Sequence, residues 1–264
     1  MSAQTPEIAV VIPAFNEAAT LPEVVREAAA LAERVWVVDD GSTDHTAETV
    51  RDLPCRLLRH PRNLGKGASL RTGLAAALEE QPAAVITLDA DGQHPVRALP
   101  QLTERFRRHG DDLVIAARLQ ERAAMPRLRQ FGNGVADFWI GLAGGRRVRD
   151  SQSGFRLYSA RLLRDLPIHR IPGDRFDFEG RTLIEACRRG YAVGEVPIPA
   201  LYPDSGLSSH YRAVVDTSRI IGMVASRILT HTLSALLPAG SRPRWRPQLK
   251  MGSLERTPKR VRKS

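Results

Sequence analysis

The feature that most constrains this chain is an alternation, over its first 120 residues, of short apolar runs with longer stretches of helical periodicity. Ile8 to Pro13 reads as a buried strand, and Thr20 to Leu31 as a helix with Pro22 in its first turn. The pattern then repeats. Strands are expected at Val35–Val38, Cys55–Leu58, Ala84–Leu88 and Leu113–Ala116, and helices at Thr43–Asp52, Gly67–Leu78 and Val96–Arg108. Such alternation predicts an α/β fold, a mostly parallel sheet covered by helices on both faces. In open sheets of this kind ligands gather beyond the carboxyl ends of the strands. The polar clusters Asn16-Glu17, Asp39-Asp40 and Asp89-Ala90-Asp91 all fall at those ends.

After Arg118 the pattern loosens. Leu128 to Leu142 reads as a helix broken by Gly144-Gly145, Gly154 to Tyr158 as a strand, Phe178 to Cys187 as a helix, and residues 191–198 as extended. Ala213 to Leu237 reads as a long helix with Ile220, Ile221, Val224, Ile228, Leu229, Leu233 and Leu236 crowded on one side. Arg227 and His231 interrupt it, which predicts a C-terminal helix lying on a surface rather than spanning a bilayer; packing of its first half against the domain is the alternative. The division expected is a domain over residues 1–239, with a nucleotide-binding half to about 118 and an acceptor half from about 119, followed by a tail at 240–264.

That tail explains the net charge of +10. Residues 241–264 hold nine Lys/Arg against Glu255 alone, a charge of +8, which leaves +2 for the 240 residues before them. The tail is expected to be disordered. Because the charge is not spread over a folded face with aromatics, nucleic-acid binding is not expected. The first residues run straight into a strand pattern without the basic start and apolar stretch of a signal peptide, and no uncharged apolar run reaches transmembrane length. A cytoplasmic protein with a membrane-facing side is the expectation. Cys55 and Cys187 form no disulfide framework and no metal spacing.

The sharpest chemical signal is Leu88-Asp89-Ala90-Asp91-Gly92-Gln93-His94. Two carboxylates one residue apart, directly after a strand, can face one cation as the chain turns. Their hard oxygens, with the amide oxygen of Gln93, suit Mg²⁺ or Mn²⁺. Such an ion neutralises a diphosphate as a leaving group. Turn and helix-capping chemistry before Val96 is the other reading of this pair. In Val37-Val38-Asp39-Asp40-Gly41-Ser42-Thr43-Asp44, carboxylates after a second strand can accept from a base N–H or from ribose hydroxyls; a tight turn is the alternative. Asn16 and Glu17 close the first strand at the same edge. In Arg62-Asn63-Leu64-Gly65-Lys66-Gly67 the glycines admit close backbone approach and Lys66 can meet a phosphate. No Gly-x-Gly-x-x-Gly follows the first strand, which argues against a nicotinamide-dependent dehydrogenase.

Taken in order, VVIPAFNE, VVDDGSTD, RNLGKG, LDADGQHP, AAR, DSQSGFR and SSHYRAVVDTSRI resemble the family 2 glycosyltransferases of the GT-A, Rossmann-like fold, and more closely the dolichyl-phosphate mannose and polyprenyl-phosphate glycosyl synthases. The resemblance spans about residues 8 to 220. It implies that Pro13, Ala14, Asn16, Glu17, Asp39 and Asp40 hold the nucleoside, with Asp39 or Asp40 reading the base. It implies that Asp89, Asp91 and Gln93 hold the metal, that Arg118 grips phosphate, that Arg129 meets the acceptor phosphate, and that Ser153-Gly154-Phe155-Arg156 closes over the sugar. The implied reaction is inverting transfer of a hexosyl group from a GDP- or UDP-sugar to a lipid-phosphate acceptor. Such an acceptor stays in the membrane, so the apolar stripe of Ala213–Leu237 and the nine cations of the tail are expected to bring the enzyme peripherally to an anionic inner face; a solvated tail without a role is the alternative.

Two departures matter. Asn133 stands where relatives often have serine, and Tyr202 and Ser209-His210 stand where mannose-transferring relatives carry an arginine and a Ser-Lys pair. A hydroxyl acceptor, which needs a general base, is therefore the rival reading, with Asp177 and Glu179 as base candidates. The absence of the Gln-x-x-Arg-Trp motif of many hydroxyl-directed relatives favours phosphate.

Overall fold

Ile8–Ala14 forms the first strand, β1, and all seven of its residues are buried. Its neighbours are the parallel strands β2 (Arg34–Asp39) and β4 (Ala84–Thr87), so both of its faces are covered and an unbroken apolar run is what the position demands. Alternate residues feed two separate cores. Ile8, Val10, Ile12 and Ala14 pack under the helix α1 (Leu21–Leu31), while Ala9 and Val11 pack under α3 (Lys66–Leu78). The period-two geometry of the strand thus builds both layers from one segment.

The structure is a computed structural model and describes residues 7–119, 127–171, 173, 177–199 and 255–256. The sheet is completed by β3 (Arg56–Arg59), β5 (Leu113–Arg118), β6 (Arg156–Ser159), β7 (Val193–Ile198) and β8 (Glu255–Arg256), in the order β7-β5-β6-β4-β1-β2-β3-β8. It is mostly parallel, as expected. β6 runs antiparallel between β4 and β5, and β8 antiparallel beside β3. The chain moves outward from β1 to β3 and then returns to the other side of β1 as β4. The crevice between the carboxyl ends of β1 and β4 is therefore the switch point where such sheets bind ligands.

The helical layers are α2 (Thr46–Thr49), α4 (Leu99–His109), α5 (Arg127–Gly144), α6 (Ala160–Asp165) and α7 (Asp177–Arg188). Three departures from the sequence reading have local causes. The helix expected at Thr43–Asp52 shrinks to α2, because Ser42, Thr43 and Asp44 bond across to the loop after β1. The strand expected at Gly154–Tyr158 starts two residues later, since residues 150–154 turn over the site. The short α6 has no periodicity long enough to read, and it is capped by Ser159, whose hydroxyl accepts from Leu162 N at 3.0 Å. The long helix expected at Ala213–Leu237 and the loop at 202–209 lie outside the described residues. So does the tail at 240–264, apart from the two residues of β8.

Candidate active site

The loops after β1 and β2 are stitched together by the polar residues that the sequence singled out. Asn16 sits in the left-handed region at φ 56°, a conformation asparagine tolerates better than most residues. There its Oδ1 accepts from Thr43 N at 2.9 Å, while its own N–H donates to Ser42 Oγ at 2.9 Å. Glu17 N donates to Thr46 Oγ1 at 2.9 Å, and Glu17 Oε2 accepts from Thr20 Oγ1. Pro13 and Ala14 are buried in the end of β1, beside Val38 and Asp39. Asn16 and Glu17 thus tie the loop after β1 to the loop after β2.

Asp39 and Asp40 are neighbours with different tasks. Asp39 is fully buried. Its Oδ1 accepts from Ser42 N at 2.9 Å, while its Oδ2 has no hydrogen-bond donor; Arg59 Nε lies 3.0 Å away as an ion-pair contact. Asp40 is fully engaged. Oδ1 meets His60 Nδ1 at 2.6 Å and Leu64 N at 3.0 Å, and Oδ2 accepts from Gly65 N at 2.7 Å. A carboxylate holding two successive amides and a buried imidazole fixes the loop that delivers Lys66 at the start of α3. Gly41, at φ 70°, leaves no room for a Cβ beside the backbone of Arg62, so this loop can lie directly on the β2 turn.

Lys66 then crosses to the β4 edge. Its Nζ lies 2.6 Å from Asp89 Oδ1 and 3.3 Å from Glu179 Oε1, on α7. The Glu179 contact is electrostatic only, because that buried oxygen makes no hydrogen bond. His94 Nε2 approaches Asp89 Oδ2 at 3.6 Å, and its buried Nδ1 is without a partner among the described residues. Burial works against the charged form of Asp89, yet Lys66 and then His94 outweigh it and hold the carboxyl far below the usual range. Asp91 behaves oppositely. Burial and the adjacent Asp89 push it up, although its Oδ1 accepts from Gln93 N at 3.0 Å. A Cβ on Gly154 would sit 2.5 Å from Asp89 Oδ2 and 2.7 Å from Lys66 Nζ, so only glycine lets this turn lie on the carboxylate.

The outer end of β5 carries Arg118, which the sequence reading gave to phosphate. Its guanidinium forms a two-pronged pair with Asp150, Nε to Oδ2 at 2.8 Å and Nη2 to Oδ1 at 2.7 Å, and its backbone N–H donates to the same Oδ2. Asp150 N and Ser151 N in turn donate to Asp137 on α5. Arg156 is fully buried and donates to the carbonyls of Ser151, Ser153 and Glu179, so it braces the turn from inside and does not face a substrate. Arg129 lies on α5, and its side chain is outside the described residues. Asn133 is buried on that helix.

This arrangement puts an acidic, strand-end site at the switch point of a doubly covered sheet. The family model for glycosyl transferase family 2 matches residues 9–166. The chain belongs to that family. Among its relatives, a UDP-N-acetylglucosamine–dolichyl-phosphate N-acetylglucosaminyltransferase of Methanococcus voltae is 28% identical over 76% of this chain and 88% of the relative. A dolichyl-phosphate hexose transferase of Haloferax volcanii is 31% identical over 73% and 82%. Glucosyl-3-phosphoglycerate synthase of Mycobacterium tuberculosis, solved with Mn²⁺, UDP-glucose and phosphoglyceric acid, shares the fold at a TM-score of 0.66 and 24% identity, over 84% of this chain and 79% of that one. The chain is therefore a glycosyltransferase with a GT-A fold.

Whether the family 2 site here suits a metal can be judged from its charges. Among the described residues no three His, Cys, Asp or Glu side chains already converge as a metal cage. Yet Asp89, Asp91 and Glu179 all act on the single ammonium of Lys66. Three carboxylates gather hard oxygen donors around one ammonium and the neighbouring His94 in a mostly buried place. The set fits a divalent cation of the Mg²⁺ or Mn²⁺ type. Sequence reasoning missed His94, His60 and Asp150 as parts of this glycosyltransferase site. His94 and Asp150 stand inside quoted motifs, but nothing in their spacing shows which carboxylate or arginine they meet.

Proposed function

We propose that this glycosyltransferase moves a hexosyl group, with inversion, from a nucleotide-diphosphate sugar to a lipid-phosphate acceptor of the polyprenyl or dolichyl type. The observation that carries the reading is the Lys66–Asp89–Asp91–Glu179 cluster, an acidic site at the sheet's switch point whose counter-charge is Lys66. The relatives named for dolichyl-phosphate acceptors support the acceptor class. Action on such a carrier would place the protein in the cytoplasm, peripheral at the inner membrane face; no helix among the described residues is long and apolar enough to cross a membrane.

Asp89 and Asp91, with the Gln93 amide, would hold a Mg²⁺ or Mn²⁺ ion, whose chemistry there is neutralisation of the departing diphosphate. Lys66, once released from Asp89, would meet a diphosphate oxygen. Asp39 Oδ2, the oxygen without a hydrogen bond, would take a base N–H, and Asp40 would keep the Lys66 loop in place. Pro13, Ala14, Asn16 and Glu17 would wall the nucleoside. Arg118, aimed by Asp150, and Arg129 would position the acceptor phosphate. A phosphate monoester is largely ionised near neutral pH, so its oxygen can attack the anomeric carbon without a general base. The new carbon–oxygen bond forms as the bond to the diphosphate breaks on the opposite face, which inverts the centre.

A second reading, transfer to a hydroxyl, is favoured by Glu179, whose buried Oε1 has no hydrogen bond and could accept a proton. Against it, that oxygen lies 3.3 Å from the Lys66 ammonium, an ion-pair contact that taking up a proton would forfeit. Incubation with a panel of UDP- and GDP-sugars, and with polyprenyl phosphate or the dephosphorylated polyprenol, separates the two by mass spectrometry of the products. Product from the phosphate alone supports the proposal, and efficient glycosylation of the polyprenol overturns it.

A further inference from the structure

Helix α5 has two unlike faces. Asn133, Ala136, Asp137, Ile140 and Ala143 are buried, and Asp137 holds the backbone of Asp150 and Ser151 at the edge of the site. On the outer side Phe138 is 64% exposed and Leu142, one turn on, 55% exposed. They are two of the four large apolar side chains exposed among the described residues, and the spacing of four puts them on one stripe. The helix then ends at Gly144-Gly145, and the chain folds back so that Arg146 N donates to Gly141 O at 3.0 Å, beside Leu142.

That turn is strongly basic. Arg146, Arg147 and Arg149 are exposed within four residues, while Val148 between them is buried and anchors the turn. With Arg105 of α4 they line a cleft of about 440 Å³ over Gly194 and Glu195 at the start of β7. Arg149 pairs with Glu195 and Arg105 with Asp111. Arg146 and Arg147 have no acidic partner among the described residues. With only +2 of net charge before the tail, this concentration of arginine is local.

We propose that the exposed stripe of α5 and the arginine turn after it form a docking surface for an anionic lipid bilayer, Phe138 and Leu142 entering the interface while Arg146 and Arg147 meet lipid phosphates. The occupant follows from the pairing of an apolar stripe with arginines that have no acidic partner among the described residues, the combination that binds peripheral helices to anionic membranes. The inference rests on the lipid-phosphate reading above: the buried face of α5 orders the turn over Asp89, so a carrier whose tail stays in the bilayer would present its phosphate across this one helix.

The test is co-sedimentation of the full chain with vesicles of phosphatidylcholine alone or with phosphatidylglycerol added. Phe138→Ser/Leu142→Ser should lower the partition coefficient about tenfold or more at both low and high salt. Arg146→Glu/Arg147→Glu should lower it about tenfold or more at low salt, with the deficit shrinking as salt rises. Wild-type partitioning by both double variants overturns the proposal. So does a fall in melting temperature, or dissociation of a dimer, with partitioning unchanged, because either assigns the stripe to contact with the chain itself or with a second copy. The same preparations are assayed with polyprenyl phosphate in detergent. No transfer in that assay together with weakened vesicle binding would keep the surface and remove the acceptor reading.

Discussion

Lys66 Nζ lies 2.6 Å from Asp89 Oδ1, and this one ion pair joins the loop after β3 to the acidic end of β4. Burial alone would lower the Lys66 pKa, yet Asp89 and Glu179 more than offset it and push it up. The ammonium is thus the counter-charge of the site when no metal is bound. On the metal reading proposed above, a cation and Lys66 would compete for the same carboxylate, so metal binding would release Lys66 toward a diphosphate.

Replacement of this counter-charge should destabilise the protein. Lys66→Met leaves Asp89, Asp91 and Glu179 facing one another, and loss of one partner of a buried pair costs about 3–5 kcal/mol. The Lys66 and Asp89 side chains keep 17% and 21% exposure, so the lower end applies. A domain of this size loses about 2–4 °C in melting temperature per kcal/mol. Mn²⁺ should raise the melting temperature of the variant more than that of the wild type. Equal responses to Mn²⁺ in calorimetry would show that the carboxylates are not a cation site.

Asp91→Asn should separate stability from activity. Burial and Asp89 already penalise the Asp91 carboxylate, so the amide relieves repulsion and the metal-free melting temperature should rise. Transfer should fall by about 100-fold or more, since even residues behind a metal ligand are typically worth 10–100-fold. A variant with wild-type kcat at saturating Mn²⁺ would remove Asp91 from the metal site.

Much of this was legible in the sequence because the signals are local. An unbroken apolar run as short as Ile8–Pro13 reads as a doubly buried strand, and Asp89 and Asp91 follow such a run directly. What was not legible depends on contacts between distant segments. Asp39 and Asp40 look interchangeable in Asp-Asp-Gly-Ser, but the pleat turns one toward Ser42 and Arg59 and the other toward His60, Leu64 and Gly65. The carboxylates nearest Arg118 in sequence are Glu121 and Asp112, yet its two-pronged pair is with Asp150, brought to it across 32 residues. The roles of 213–237 and of the tail rest on residues outside those described, and the tail's expected disorder is met by a short pairing of Glu255–Arg256 with β3.

The two neighbouring aspartates should therefore give different phenotypes. Asp39→Asn should raise the donor KM with little loss of loop order, because only one of its oxygens is hydrogen-bonded. Asp40→Asn should weaken several charge-assisted bonds at once, each typically worth about 1.5–3 kcal/mol. Its melting temperature should fall, and hydrogen exchange at Leu64 and Gly65 should speed up. Matching KM effects with unchanged exchange in both variants would return Asp40 to the nucleoside.

The pair of Arg118 and Asp150 should set a pH dependence of stability. Burial by itself would raise the Asp150 carboxyl, but its hydrogen bonds and ion pair with Arg118 outweigh this and hold it below the ordinary carboxylate value. A lowered folded-state pKa means that the unfolded chain binds the proton more readily. The contribution is therefore complete above the ordinary carboxylate range and is lost as pH falls through that range toward the folded value. Asp137 works in the opposite sense, since burial and the nearby Asp150 push it up, so the informative quantity is the difference between wild type and Asp150→Asn. That difference should be about 3–5 kcal/mol at neutral pH, the typical cost of removing one member of a buried ion pair, and should narrow in acid. Arg118 would also lose its aim, so the acceptor KM of the variant should rise more than the donor KM. Urea unfolding at neutral and acidic pH reads the first effect and initial-rate kinetics the second; a pH-independent difference would show that Asp150 acts through its backbone contacts to Asp137 and not through its charge.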